Sequence, residues 1–534
     1  MRGDLQWETV PRLVEDAARR FAGSPAVVDG PVRLSHAELA VRVRRAAAAM
    51  IGGGVRQGDR VALWAANSHE WVVAALGAMT AGAVLVPLNT RFKGPEAAYI
   101  LGKSRARLLV VSPPFLGNDY PGMLRQACGP AGADGSLYRE LPHLRSMVVL
   151  GSADWERFLA EGDAVPAGLV AERAAAVSPD DVSDIFFTSG TTGRPKGVMT
   201  SHAQNLRVFD TWSEVAGLAP GDRYLIVNPF FHTFGFKAGV LACLMRGATI
   251  IPQAVFDPAA VIEAVEAERV TVLPGPPTLY LSLLDHPGRA GRDLSSLRTA
   301  VTGAAVVPLD LVRRIRAELG FETVLTAYGL TEATGTVTMC RRNDPAEVIA
   351  GTSGRAIPGT RVRAVTADGR EAAPGEPGEI RVRGYNVMRG YFEDPEATAE
   401  AVDADGWLRT GDVGVVDEHG RVRITDRLKD MFTVGGFNVY PAEVERILAG
   451  HERIAEAAVV GVPDPRLGEV GLAAVVPRRG PRPDPEEIIR WSRERMANYK
   501  VPRRVELVDE LPRNAAGKVL KHRLRPSPAG EPTP

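Results

Sequence analysis

The run Thr188-Ser189-Gly190-Thr191-Thr192-Gly193-Arg194-Pro195-Lys196-Gly197 combines the residue types that hold a polyphosphate. Glycines remove side-chain bulk so that backbone N–H groups can approach phosphate oxygens, hydroxyls donate further hydrogen bonds, and a lysine adds compact positive charge. The run differs from a Walker A loop, because Lys196 follows proline and is followed by Gly197 rather than Ser or Thr. It follows the apolar run Ile185-Phe186-Phe187, which reads as a strand, and precedes Val198-Met199.

The flanking elements point to an α/β fold. Over the first 425 or so residues, short β-branched runs (Ala83 to Pro87, Leu108 to Val111, Val270 to Leu273) alternate with Ala-rich helical stretches (Ala37 to Met50, Pro258 to Glu268). Such alternation predicts parallel sheets covered by helices. Asn67 with Glu70 three residues on has the form of a capping box and is expected to open the helix that precedes Gly82. Val72 to Leu88 falls short of the ~20 apolar residues needed to cross a bilayer and reads as a buried helix followed by a buried strand. Near Thr360 the pattern changes to alternating strands, Arg361 to Val365, Glu379 to Val382 and Val422 to Ile424, around the turns Ala367-Asp368-Gly369 and Glu418-His419-Gly420. Helices near Ala442 to Ala449 and Pro485 to Met496, with strands near Ala457 to Val462 and Gly471 to Val476, then form a separate α+β unit. The expected division is 1–428 with a β-rich subdomain at about 355–425, then 429–525, then a disordered tail at 526–534.

Bulk properties bound the function. Lysine plus arginine and aspartate plus glutamate each total 64, so no global field favours nucleic acid or an anionic membrane, and an anionic ligand must be held locally. The cysteines, Cys128, Cys243 and Cys340, are too widely spaced for a metal site or a disulfide framework, and Met1 to Arg20 lacks the apolar core of an export signal. A soluble cytoplasmic enzyme with no membrane span is expected, and a homodimer is compatible with this reading.

The phosphate run and seven further motifs, in order, resemble the acyl-adenylate-forming enzymes, which include acyl-CoA synthetases, adenylation domains and firefly luciferase. The seven are Pro229 to Gly235 around His232, Thr302-Gly303-Ala304-Ala305, Tyr328-Gly329-Leu330-Thr331-Glu332, Thr410-Gly411-Asp412, Asp426 to Asp430, Gly435 to Pro441, and Pro512 to Lys518. The resemblance runs from about Leu34 to Leu524 and implies a large N-terminal domain with a small mobile C-terminal lid. It implies ATP, Mg²⁺ and coenzyme A as cofactors and a small-molecule carboxylic acid as substrate.

By that resemblance each motif has a role. Lys518 supplies the cation that lets a carboxylate approach the α-phosphate, Glu332 is the Mg²⁺ ligand, and Thr331 touches the α-phosphate. Thr188 to Gly193 and Lys196 bind the phosphates, Tyr328 offers an aromatic face beside the adenine, and Gly303, Ala304, Ala305 and Gly329 belong to the cofactor-binding set. Asp412 and Arg427 hold the ribose, and His232 lines the acyl pocket beside the reacting carboxylate. Lys429 is the hinge that lets the lid present Lys518 in one half-reaction and the Gly435-Gly436 pantetheine channel in the other.

An amino-acid or aryl-acid adenylating enzyme loading a carrier protein is the alternative; the amino-acid case lacks an acidic partner for the amino group in the His232 segment. A P-loop kinase would release ADP rather than AMP and pyrophosphate. Val86 to Arg91, Phe236 to Gly239, Leu273 to Pro277 and Asp430 to Phe432 are most similar to actinobacterial ligases for the hydrindane-dione propionate left by steroid-ring opening, with fatty acids as runner-up. Thr233 and Phe236 depart from those ligases and are expected to face the pocket.

Overall fold

A computed structural model describes residues 6–188, 195–303, 307–427, 430–434, 437–439, 441–464, 467–493, 495–496, 498–514 and 518–525. A seven-stranded sheet runs in the order Gly390–Tyr391, Lys196–Ser201, Val182–Thr188, Val84–Pro87, Arg60–Trp64, Ala106–Val111, Ser146–Val149. The last five of these are mutually parallel. Arg60–Trp64 explains why such strands read as unbroken apolar runs. Val61 and Leu63 enter one core, Ala62 and Trp64 enter the other, and all four are fully buried.

The larger core lies between this sheet and a second one. The second contains Pro25–Asp29, Thr249–Pro252 and Arg223–Ile226 on one side and Thr299–Gly303, Thr323–Tyr328 and Thr338–Met339 on the other. Val270 to Leu273 joins the two halves through Val272, which bridges both Tyr224 and Thr299. It is an extended connector rather than the regular strand expected, because Pro274 follows at once and cannot donate to a ladder.

Between the sheets, helix His69–Thr80 packs on helix His36–Gly52. The helices approach so closely that a Cβ on Gly77 would lie 2.8 Å from that of Ala46, which is why small residues dominate here. Ser35 and Glu38 cap the first helix reciprocally. The second begins one residue later than the Asn67 reading placed it: Ser68 is its N-cap, its Oγ accepting from the Trp71 N–H at 3.2 Å. Asn67 is unavailable as a cap because its amide is used elsewhere. Nδ2 donates to the carbonyls of Ile226, Asn228 and Gln253, and Oδ1 accepts from the Phe230 N–H at 2.7 Å.

Two smaller sheets follow. Thr360–Val365, Gly378–Gly384, Leu408–Val416 and Val422–Arg427 form an antiparallel meander. A five-stranded sheet then gathers Phe432–Val434, Phe437–Val439, Ile454–Asp464, Gly468–Pro477 and Arg504–Leu507. Helix Pro441–Leu448 and helix Pro485–Arg493 accompany it, with a core of its own that includes Val444, Leu448, Val459, Val475 and Ile488.

Candidate active site

The phosphate run sits on a β-hairpin. Strand Val182–Thr188 pairs antiparallel with Lys196–Ser201, and Thr188 lies opposite Lys196. Ser189, Gly190, Thr191, Thr192 and Gly193 fall outside the described residues. A strand–loop–strand arrangement differs from the strand–loop–helix of a P-loop, where a helix N-terminus meets the phosphates.

Thr188 faces Glu332, its hydroxyl donating to Oε1 at 3.2 Å. Glu332 occupies the single 3₁₀ turn Thr331–Ala333, which begins just past the C-terminal end of strand Thr323–Tyr328. The turn is fixed from outside: the Met388 N–H donates to the Glu332 carbonyl at 2.8 Å, and the Thr334 hydroxyl to the Asn386 carbonyl at 2.7 Å. Tyr391, which the motifs did not single out, donates its hydroxyl to the same Glu332 Oε1 at 3.2 Å. Its ring lies 5.2 Å from the Lys196 ammonium. The signal that could have found it is its place in a strand that pairs with the phosphate hairpin, Tyr391 lying opposite Val198.

A second cluster meets at the end of the same strand. The Tyr328 hydroxyl donates to Asp412 Oδ2 at 2.6 Å, and Asp412 lies directly opposite Arg427 in the antiparallel meander. The Arg427 side chain is outside the described residues, as are Ala304, Ala305, Lys429, Gly435 and Gly436. Two glycines are steric necessities here: a Cβ on Gly303 would lie 2.5 Å from the Ala327 carbonyl oxygen, and one on Gly329 2.1 Å from that of Gly335. Gly303 and Tyr328 end adjacent parallel strands, the position where open α/β sheets bind ligands. The segment Tyr328 to Glu332 thus meets Thr188 of the hairpin at one end and Asp412 of the meander at the other.

His232 caps the short helical turn Thr233–Gly235, its Nδ1 accepting from the Phe234 N–H at 3.2 Å. That bond leaves Nε2 as the protonated nitrogen of a neutral ring. Desolvation, aided by Lys237, lowers its pKa to about 4. The ring is nonetheless exposed, which tempers the desolvation, and the neutral form is the one favoured at pH 7. The Asn67 clamp on Phe230 holds this segment against the first core. Phe230 and Phe236 pack on Trp71 with ring centroids 5.1 and 5.3 Å away and are fully buried, so Phe236 belongs to the core rather than to a pocket wall. Thr233 is buried, and Phe231 and Phe234 keep partial exposure.

Lys518 is exposed and its backbone is tied to Asn514. The Asn514 N–H donates to the Lys518 carbonyl at 2.8 Å, and the Lys518 N–H to Asn514 Oδ1 at 2.9 Å. Ion pairs Lys521–Glu445 (2.8 Å) and Arg513–Glu456 anchor this segment to the C-terminal unit.

Glu332 suits a hard divalent cation. It is a carboxylate beside the phosphate hairpin, with Oε1 accepting two hydrogen bonds and Oε2 accepting none among the described residues.

The AMP-binding enzyme model matches residues 14–392, and the AMP-binding enzyme C-terminal domain matches 443–518. The chain belongs to the AMP-binding enzyme family. This AMP-binding enzyme is 52% identical to the 3-[(3aS,4S,7aS)-7a-methyl-1,5-dioxo-octahydro-1H-inden-4-yl]propanoyl:CoA ligase of Rhodococcus jostii, over 97% of this chain and 98% of that one. It is 51% identical to the ligase of the same name from Mycobacterium tuberculosis, over 98% and 99%. Among solved structures it resembles the anthranilate CoA ligase AuaEII in complex with anthranoyl-AMP, with TM-score 0.86 and 28% identity over 97% of this chain and 96% of that one. The fold is that of the acyl-adenylate-forming enzymes, with a large N-terminal part and a C-terminal AMP-binding domain.

Proposed function

We propose that this AMP-binding enzyme is an ATP-dependent acid–CoA ligase whose acid is the 7a-methyl-1,5-dioxo-octahydroindenyl propanoate named in its relatives. The observation that carries the catalytic reading is the pair of hydrogen bonds Thr188–Glu332 and Tyr328–Asp412, made from the two ends of one short motif, which suits a nucleotide laid from phosphates to ribose. The substrate carboxylate attacks the α-phosphorus, a P–O bond to pyrophosphate breaks, and acyl-AMP forms. The coenzyme A thiol, losing its proton, then attacks the acyl carbonyl and expels AMP.

Thr188 and Lys196 orient the phosphates, the loop between them supplies further donors, and Asp412 accepts from the ribose hydroxyls with Tyr328 fixing its orientation. Glu332 would hold Mg²⁺, which screens phosphate charge when bound. His232, neutral and with Nε2–H available, borders the acid carboxylate. The proposed site of action is the cytoplasm, where ATP and coenzyme A are at hand; among the described residues no helix is long and apolar enough to cross a membrane.

The test is pyrophosphate release from ATP with the bicyclic propanoate, octanoate and ferulate, each with and without coenzyme A. Pyrophosphate and AMP are expected, with kcat/KM for the bicyclic acid at least about tenfold above the others, the discrimination that a few well-placed contacts provide. ADP as product would overturn the adenylation reading, and equal kcat/KM values would overturn the substrate. Asp412→Ala is expected to raise the ATP KM by about ten- to a hundredfold, the loss of one charge-assisted hydrogen bond, without changing the KM for the acid.

A further inference from the structure

Tyr391 has no part in the motifs, yet the fold delivers it to the centre of the phosphate site. Its strand, Gly390–Tyr391, forms the edge of the seven-stranded sheet, with Gly390 opposite Met199 and Tyr391 opposite Val198. The Arg389 and Phe392 N–H groups donate to the carbonyls of Met199 and Gly197 at 2.9 and 2.7 Å, and the Tyr391 N–H donates to Thr398 Oγ1 at 2.9 Å. The backbone is therefore held on both sides of the ring.

From this platform the phenol and the Thr188 hydroxyl each donate their single proton to one oxygen of Glu332, both at 3.2 Å. A carboxylate held through Oε1 by two donors from different strands has one orientation, and its second oxygen is left for another ligand. The same ring lies against the Lys196 ammonium, at a distance where its face attracts a cation.

We propose that Tyr391 is a positioning residue that, with Thr188, pins Glu332 through Oε1 so that Oε2 meets the divalent cation carried by ATP. This inference rests on the reading of Glu332 as the cation's ligand.

Tyr391→Phe removes the donor and keeps the ring beside Lys196. The direct measurement is Mn²⁺ binding, followed by loss of the free-ion paramagnetic resonance signal, to the protein saturated with α,β-methylene-ATP. Mn²⁺ affinity is expected to fall about three- to tenfold, the weight of one hydrogen bond orienting a ligand. Affinity for the metal-free nucleotide, the melting temperature, and thioester formation from supplied acyl-AMP should stay within about twofold or a degree of the parent. The Mg²⁺ concentration for half-maximal pyrophosphate release should rise by the same factor as the Mn²⁺ constant. Thr188→Val, which deletes the other donor to the same oxygen, should likewise weaken Mn²⁺ binding; because Thr188 also orients the phosphates, only its metal constant is compared, and the comparison with metal-free nucleotide belongs to Tyr391→Phe.

Unchanged Mn²⁺ affinity in both variants, or equal weakening of metal and metal-free nucleotide, overturns the proposal. Glu332→Gln separates the two layers: if it leaves Mn²⁺ affinity unchanged, the cation site itself falls.

Discussion

Lys518→Ala is expected to slow acyl-AMP formation by about a hundred- to a thousandfold, or ~3 to 4 kcal/mol, the usual cost of losing one preorganised donor at a developing charge. The reaction brings a carboxylate against a polyphosphate, and a compact ammonium at the α-phosphate opposes that repulsion. Lys518 is suited to that role because it is exposed and its backbone is held by two hydrogen bonds with Asn514. The second half-reaction departs from the mixed carboxylic–phosphoric anhydride already formed and does not bring a carboxylate against a polyphosphate. Thioester formation from supplied acyl-AMP should therefore stay within about twofold of the parent, as expected for a group used only in the first transition state. Lys521, in the same basic segment, is the control. It is ion-paired with Glu445 at 2.8 Å, and Lys521→Ala should spare the adenylation rate by comparison. Rapid-quench measurement of both half-reactions decides the matter, and equal loss in both would show that Lys518 supports the fold of the C-terminal unit rather than one chemical step.

The sequence made the scaffold legible where chemistry and periodicity are local. Helix Pro258–Glu268 and the strand before the phosphate run follow from patterns a few residues long. So does the grouping of Tyr328 and Glu332 at the end of strand Thr323–Tyr328, since both lie within one motif. What stayed hidden depends on pairings between distant segments. Tyr391 reaches Glu332 because strand Gly390–Tyr391 crosses to the phosphate hairpin, a register no local pattern encodes. Asn67 has the residue type of a cap, but carbonyls of Ile226, Asn228 and Gln253, far along the chain, claim its amide. Phe236 sits in a motif beside His232 and looked like a pocket wall; helical geometry turns it to Trp71 instead.

Lys237, the next residue, is the clearest such case, and its replacement carries the largest expected effect on stability. Lys237→Ala should destabilise the N-terminal part by about 3–5 kcal/mol, because removing one partner leaves the other charge buried and unpaired. Both side chains are 0% exposed, with Nζ 2.8 Å from Asp184 Oδ1. Nζ also donates to Thr200 Oγ1 at 2.8 Å and lies 4.8 Å from the Phe186 ring. Burial lowers the Lys237 pKa, and Asp184 opposes that by attracting the charge. Asp184 is further held by Ser183 and Thr200 hydroxyls and the Asn205 amide, at 2.7, 2.6 and 2.5 Å. These bonds join the single π-helical turn Phe236–Leu241, which follows the His232 segment, to both strands of the phosphate hairpin. Alanine would empty a space at the point where those elements meet and strand the aspartate beneath the hairpin. The check is urea unfolding read by tryptophan fluorescence, with Lys237→Met plus Asp184→Asn as the companion. Neutralising both groups removes the unpaired charge and should recover at least half of the loss. A loss below about 1 kcal/mol in the single variant, or a double variant no more stable than the single, would mean that packing around the π turn, not the charge pair, holds these elements together.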